Sequence, residues 1–169
     1  SWNVDAYEGH LLALALSSKR CTDALREKIV KGLSALQLPH QIGEVRRLAD
    51  QQAGRMIKAQ KQLCDRAQVR GRVAIAQAGS LALGTSAELL LGVPNVVASV
   101  VYSKAGSPSR TRVSARGTVE CRRHLGKLIL WIAREFGGAG GGHMLAAGAI
   151  LPSQRLEEFL DLFVRKVGR

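Results

Sequence analysis

Along the first 70 residues apolar positions repeat with the period of a helix; from Gly71 onward short apolar runs alternate with helical stripes. Leu11 to Leu16 and Ala24 to Leu36 carry apolar side chains at helical spacing, and Pro39 interrupts the pattern. Gln41 to Val69 then spells a long amphipathic helix. Val45, Leu48, Ala49, Met56, Leu63 and Ala67 share its apolar face, whereas Arg46, Arg47, Arg55, Lys58, Lys61 and Arg66 lie opposite. Gly54 weakens it slightly. Such a helix either crosses between two domains or caps one, and its basic residues read best as a solvated face.

The later pattern is α/β. Val73 to Ala76 is short, continuous and apolar, as a central strand is, and Leu83 to Leu91 follows as a short helix with Thr85 or Ser86 as N-cap. Gly92 to Asn95 ends it. Val96 to Tyr102 is a second interior strand; Lys104 to Ser109 is turn chemistry leading into Arg110 to Gly117 as a hairpin partner. Thr118 to Phe136 predicts a helix, with Cys121, Leu125, Leu128, Ile129, Ile132 and Phe136 as its core stripe. Ala146 to Leu151 is a further strand. Pro152 and Ser153 start a last helix, its inward face being Leu156, Phe159, Leu160, Phe163, Val164 and Val167.

Two segments carry candidate chemistry. In Arg110 to Gly117, Arg110, Arg112, Ser114 and Arg116 alternate with smaller or apolar residues, the period of a strand with one basic face. Arginines two apart on a strand project to the same side, about 7 Å apart, and the guanidinium fork matches two phosphate oxygens. The plain alternative is an edge strand whose charges discourage aggregation. The second segment, Gly137 to Gly148, holds five glycines among six positions and then His143-Met144-Leu145. A backbone free to take positive φ can aim successive N–H groups at one oxyanion. On this reading Gly140, Gly141 and Gly142 form a phosphate-holding turn, and His143 adds a donor.

Charge sharpens the expectation. There are 25 Lys and Arg against 13 Asp and Glu, a net charge of +12, in a chain of 169 residues. Such an excess favours an anionic partner, nucleic acid above all, although a generic basic surface gives the same sum. Aromatic residues make up only 4%, too few for a base-stacking platform, so contact through phosphates is expected.

Other chemistries lack support. Cys21, Cys64 and Cys121 are far apart, with no Cys-x-x-Cys pair, which suits a reducing compartment and argues against zinc. The carboxylates Asp5, Asp23, Asp50, Asp65 and Asp161 are scattered, and His10, His40 and His124 show no ligand spacing, so no metal site is expected in this chain. Neither common nucleotide-loop motif is present, and nucleophilic triads have no local support. Leu11 to Leu16 is too short to span a bilayer and no signal peptide is evident, so no membrane association and a cytoplasmic location are expected. The start at Ser-Trp-Asn suggests a piece of a longer polypeptide.

Val113-Ser-Ala-Arg-Gly-Thr118, an intervening helix, and then Gly137-Gly-Ala-Gly-Gly-Gly-His-Met-Leu-Ala-Ala-Gly148 together resemble the DHHA1 domain of the DHH phosphoesterase superfamily, most closely its archaeal RecJ-like branch. The resemblance implies an α/β fold over residues 71–169, a small mixed sheet flanked by helices, preceded by a helical segment over residues 1–70 that ends in a connecting helix. By matching positions it assigns Ser114 and Arg116 to substrate and Gly140, Gly141, Gly142 and His143 to phosphate; Arg112 joins them from the strand pattern. In such proteins a preceding DHH domain holds Mn²⁺ or Mg²⁺ through an Asp-His-His triplet, which this chain lacks. The expected function is therefore a single-stranded DNA- or RNA-binding module of a RecJ-like exonuclease, not catalytic by itself. Two alternatives stand beside it: a replisome scaffold that binds a GINS-like partner, and a phosphodiesterase for short oligonucleotides or cyclic dinucleotides.

Overall fold

A computed structural model describes residues 6–18 and 20–168 and divides the chain into two units, Ser1–Lys58 and Ala59–Arg169. In the first unit, α1 (Ala6–Ser17) and α2 (Asp23–Ser34) precede a short 3-10 turn over Pro39–Gln41 and the start of α3 (Gly43–Arg66). Thr22 caps α2 by accepting the Leu25 N–H at 3.3 Å. The α2 helix stops where Leu36 adopts φ 61°. Ala15, Cys21, Ile29, Ile42, Val45 and Leu48 form this unit's core. The Glu8 carboxylate, nearly buried, pairs with His40 Nδ1 and accepts the His40 main-chain N–H at 3.0 Å, joining α1 to the 3-10 turn. Lys28 Nζ donates to Glu44 Oε1 at 2.6 Å, and that bond holds the Glu44 carboxyl below the usual carboxylate range. Asp5 lies outside the described residues.

The second unit is built on a six-stranded mixed sheet in the order β1-β2-β3-β4-β6-β5. The strands are β1 (Gln68–Arg70), β2 (Val73–Gln77), β3 (Ala98–Ala105), β4 (Ser107–Gly117), β5 (Ala139–Gly142) and β6 (Ala146–Pro152). Only β2 and β3 pair in parallel, with α4 (Leu83–Leu90) in the crossover. Helices α5 (Leu125–Glu135) and α6 (Leu156–Val167) cover one face. There Leu125, Ile129, Ile132, Phe159, Leu160 and Phe163 pack on Val100, Val113, Ala115, Ala147, Ala149 and Leu151. On the other face Ala87 and Leu90 of α4, with Leu63, pack on Ala74, Ala76 and Val101. That smaller core lies over β2 and β3, and α4 also reaches β4, where Gly84 meets Arg116.

The structure redraws several expected boundaries. Helix α3 ends at Arg66, and Val69, placed in the helix by its periodicity, lies in β1, whose Gln68, Val69 and Arg70 pair with β2. The cap of α4 is Ala82, not Thr85 or Ser86; Ser86 sits inside the helix, fully buried. The turn expected over 104–109 shrinks to Gly106, at φ 68°, and both strands run on to meet it. Residues 118–124 are not helical. Thr118 donates its N–H to the Val97 carbonyl at 2.9 Å, Cys121 turns back onto Thr118, and His124 is the N-cap of α5. Cys121 nevertheless reaches the core from this loop. The last helix likewise starts later, at Leu156, because Pro152 closes β6 and Ser153–Arg155 form a 3-10 turn. The largest departure is at the glycines: 139–142, expected as part of a bend, are the edge strand β5.

Candidate functional site

Strand alternation divides β4 into two faces. Val113 and Ala115 are buried under α5 and α6, so Arg112, Ser114 and Arg116 project from the opposite face. Register extends that face across the sheet: Arg112 lies beside Ile150, Ser114 beside Gly148, and Arg116 beside Ala146. Beyond β6, Gly148 pairs with Gly141 and Ile150 with Ala139. The result is a shallow shelf of about 630 Å³ lined by Arg112, Ser114, Arg116, Gly141, Gly148 and Ile150, with Gly140 in its wall and the first turn of α4 at its side. No Asp or Glu lines it.

Arg116 is held in place. Its Nη1 donates to the carbonyl of Ala115 at 3.1 Å and to Ser114 Oγ at 3.4 Å. Its Nη2 lies 2.8 Å from where a Cβ on Gly84 would stand, so the guanidinium rests against the first turn of α4 only because that residue has no side chain. Arg112 is exposed and makes no hydrogen bond or ion pair among the described residues. The α4 cap supplies no side-chain acceptor, and Leu83 and Gly84 of the helix's first turn line the same shelf. Two arginines, a hydroxyl and a helix start thus converge with no carboxylate to neutralise them.

The glycines divide by parity. A Cβ on Gly138 would stand 2.6 Å from the Ile150 carbonyl oxygen, one on Gly140 2.8 Å from that of Gly148 and 3.0 Å from Ile129 Cγ2, and one on Gly142 2.4 Å from that of Ala146. Gly142 also adopts φ 147°. On α5 a Cβ at Gly126 would reach within 2.0 Å of the Gly142 carbonyl oxygen. Gly126 and Gly140 thus let α5 press directly on β5, whereas a side chain at Gly138 or Gly142 would strike the neighbouring β6. Gly141, by contrast, would place a Cβ in open space, on the shelf side.

This arrangement differs from the expected nest, because successive N–H groups of a strand point in opposite directions rather than toward one anion. Gly140 and Gly141 line the shelf; Gly142 and His143 are not among its lining residues. His143 lies in the β5–β6 hairpin, exposed, with its N–H donated to the Ala146 carbonyl at 2.7 Å. The hairpin has a further task. The carbonyls of Met144 and His143 accept the N–H groups of Leu125 and Gly126 at 2.8 and 2.9 Å, and His124 Nδ1 accepts that of Lys127 at 3.3 Å. The N-terminus of α5 is therefore filled by the protein itself.

Sequence reasoning missed Leu83, Gly84, Gly148 and Ile150 as shelf residues. Gly84 carried a signal, since a glycine early in a short helix costs stability and calls for a packing reason. Among the described residues no three His, Cys, Asp or Glu side chains gather where a metal ion would fit. Asp161, for example, faces Arg70 Nη1 at 3.0 Å instead. Among the described residues no helix is long and apolar enough to cross a membrane.

A mixed sheet with an arginine-bearing strand, a glycine-rich edge and two helices behind it defines an α/β domain of the kind found in phosphoesterases. Residues 68–169 match the DHHA1 domain, and the chain belongs to that family, which is found in the metal-dependent DHH phosphoesterase superfamily. Two solved structures share the fold. The pGpG-specific phosphodiesterase PggH from Vibrio cholerae is similar with a TM-score of 0.66 at 12% identity, over 97% of this chain and 56% of its own. CDC45 from Entamoeba histolytica is similar with a TM-score of 0.60 at 6% identity, over 98% of this chain and 38% of its own. RecJ from Thermus thermophilus superposes with a TM-score of 0.49 at 17% identity, over 86% of this chain and 24% of its own. The chain thus spans about half of PggH and smaller shares of the other two. No curated protein matches it in sequence.

Proposed function

We propose that the shelf on β4, β6 and β5 binds the phosphate backbone of a single nucleic-acid strand, and that the chain is the strand-holding module of a RecJ-like phosphoesterase. The observation that carries this reading is that no carboxylate among the described residues lines the shelf around Arg112 and Arg116, which α4 borders with its first turn. Two like charges held on one face repel, and an anionic ester relieves that repulsion while accepting their hydrogen bonds. Arg116, fixed by Ser114 and the Ala115 carbonyl, presents a phosphate with an oriented fork; Arg112, four residues and about 13 Å along the strand, takes another, about two steps on. Gly141 and Gly148 leave the floor bare so that the sugar-phosphate chain can lie close to the sheet. His143 reaches the strand from the hairpin at the rim, while Gly140 and Gly142 serve by keeping α5 against β5. Hydrolysis falls to a metal-bearing segment elsewhere in a longer polypeptide.

Fluorescence anisotropy with a 5′-phosphorylated oligothymidylate tests this. Replacing Arg116 with Ala is expected to cost roughly 1 to 3 kcal/mol of binding free energy. An Arg116→Ala protein that binds as tightly as its parent, or a parent that retains a GINS-like complex but no strand, would replace this reading with the scaffold one.

A further inference from the structure

The geometry points to a second polyanion site, a cleft of about 730 Å³ at the end of the sheet beyond Arg116, where Arg72, Arg122 and Arg123 converge with a single carboxylate, Glu120. We assign it to the continuation of the strand whose first phosphates lie on the shelf, so it rests on the phosphate reading of that shelf. The cleft is built rather than incidental. Arg72 follows Gly71, at φ 63°, in the β1–β2 turn, and its carbonyl accepts the Val97 N–H at 2.9 Å. Val97 in turn accepts the Thr118 N–H at 2.9 Å, and Cys121 bonds back to Thr118 at 2.9 Å, so the loop bearing Arg122 and Arg123 is tied to the same strand end.

The three guanidiniums differ in how far they are committed. Arg72 Nη2 pairs with Glu120 Oε2 at 2.9 Å. Arg123 spends its Nε on the Lys166 carbonyl at 3.0 Å, which fixes its position and leaves the two terminal nitrogens uncommitted among the described residues. Arg122 is exposed and makes no hydrogen bond or ion pair among the described residues. Three positive charges against one negative leave the cleft basic. Its apolar walls are only Val97 and Val167, which offers little to a protein partner's side chains.

Continuity selects the occupant. Arg116 lies beside Ser99 and Gly117 beside Ala98, and Thr118 bonds to Val97, a wall of the cleft. The shelf therefore ends at Arg116, where β4 runs out into the loop that carries Arg122 and Arg123, and the cleft lies at that end of the sheet beside the end of α6. A strand held at Arg112 and Arg116 and continued in the same direction runs over the sheet end toward Arg122. An acidic peptide has no such repeating anionic register.

The test compares binding of a 5′-phosphorylated thymidine dinucleotide and a strand of about twelve nucleotides to the full chain. Arg122→Ala is expected to weaken the longer strand roughly five- to tenfold, reduce its log–log salt slope by about 0.7, and leave the dinucleotide unaffected. Glu120→Gln, which removes the cleft's one acid among the described residues, is expected to tighten the longer strand, a gain that misfolding cannot mimic. Arg134→Ala, an exposed arginine on α5 outside both sites, should leave both ligands within about twofold of the parent. The assignment is overturned if Arg122→Ala spares the longer strand, weakens both ligands alike, or matches Arg134→Ala. It is also overturned if the Arg122 dependence appears with poly-glutamate and not with the strand. If the dinucleotide is bound through Arg116 while Arg122 is silent, only the second site falls; if neither ligand binds the parent, the shelf reading falls first.

Discussion

Gly84 separates binding from stability more cleanly than the arginines do. Its missing side chain makes room for the end of a flexible guanidinium, not for backbone. Gly84→Ala should therefore leave the thermal midpoint within a few degrees of the parent, or raise it slightly, since alanine is the better helix former by up to about 1 kcal/mol. Strand affinity should fall several-fold, because the new methyl pushes Arg116 off its post. Calorimetry beside anisotropy reads both, and a loss of stability without loss of affinity would refute the account. Arg116→Lys is expected to behave nearly as poorly as Arg116→Ala, since an ammonium keeps the charge but not the fork. The placement of Arg112, Ser114 and Arg116 on one face was legible from alternation, because buried Val113 and Ala115 fix the opposite face. Gly84 was not read as part of the site, because nothing in a linear pattern brings residue 84 to residue 116.

Between elements, the contact of α5 with β5 is the least forgiving. Gly126→Ala drives a methyl into the Gly142 carbonyl, which belongs to backbone and cannot step aside, so urea unfolding should report a loss of about 3 kcal/mol. The strand itself was illegible in the sequence. Glycines have no side chains to display a period of two, so a run of them advertises a bend as readily as an edge. The same blindness did not affect β2, β3 or β6, whose apolar residues declare their burial. Residues 118–124 misled for the opposite reason: Cys121 has helical spacing from Leu125 but reaches the core from a loop. In the first unit, Thr22→Ala should cost about 1 kcal/mol by uncapping α2. The Lys28–Glu44 bond adds a pH signature. With its folded pKa depressed, the Glu44 carboxyl contributes fully above the ordinary glutamate pKa, and that contribution fades as the pH falls through the folded value. Replacing Glu44 with Gln should flatten this part of the acid limb of an unfolding curve.

Across the chain, the +12 charge is spread over both units, yet only part of it is placed to meet a ligand. Arg46, Arg47, Arg55, Lys58, Lys61 and Arg66 are exposed along α3, as a solvated basic face requires. Arg70 is engaged with Asp161 and Glu157, and Arg155 with Glu158. Near the sheet, Arg112 and Arg116 on the shelf and Arg122 and Arg123 at the end cleft are among the cations that no carboxylate of the described residues answers. If about four phosphates are neutralised there, the logarithm of the strand association constant should fall with a slope near −3 against the logarithm of salt concentration. A slope near zero would mean that charge does not drive the encounter. Composition favoured an anionic partner, but only the fold shows which cations are already answered by a neighbouring carboxylate.

The alternation within the glycine run implies two separate selection pressures on one short motif. A saturation library over 138–142, scored once for folded yield and once for oligonucleotide retention, should return glycine at 138, 140 and 142 in the first screen. The second screen should sharpen the demand at 141, which its φ of 158° already inclines toward glycine but where a side chain would meet only open space over the shelf.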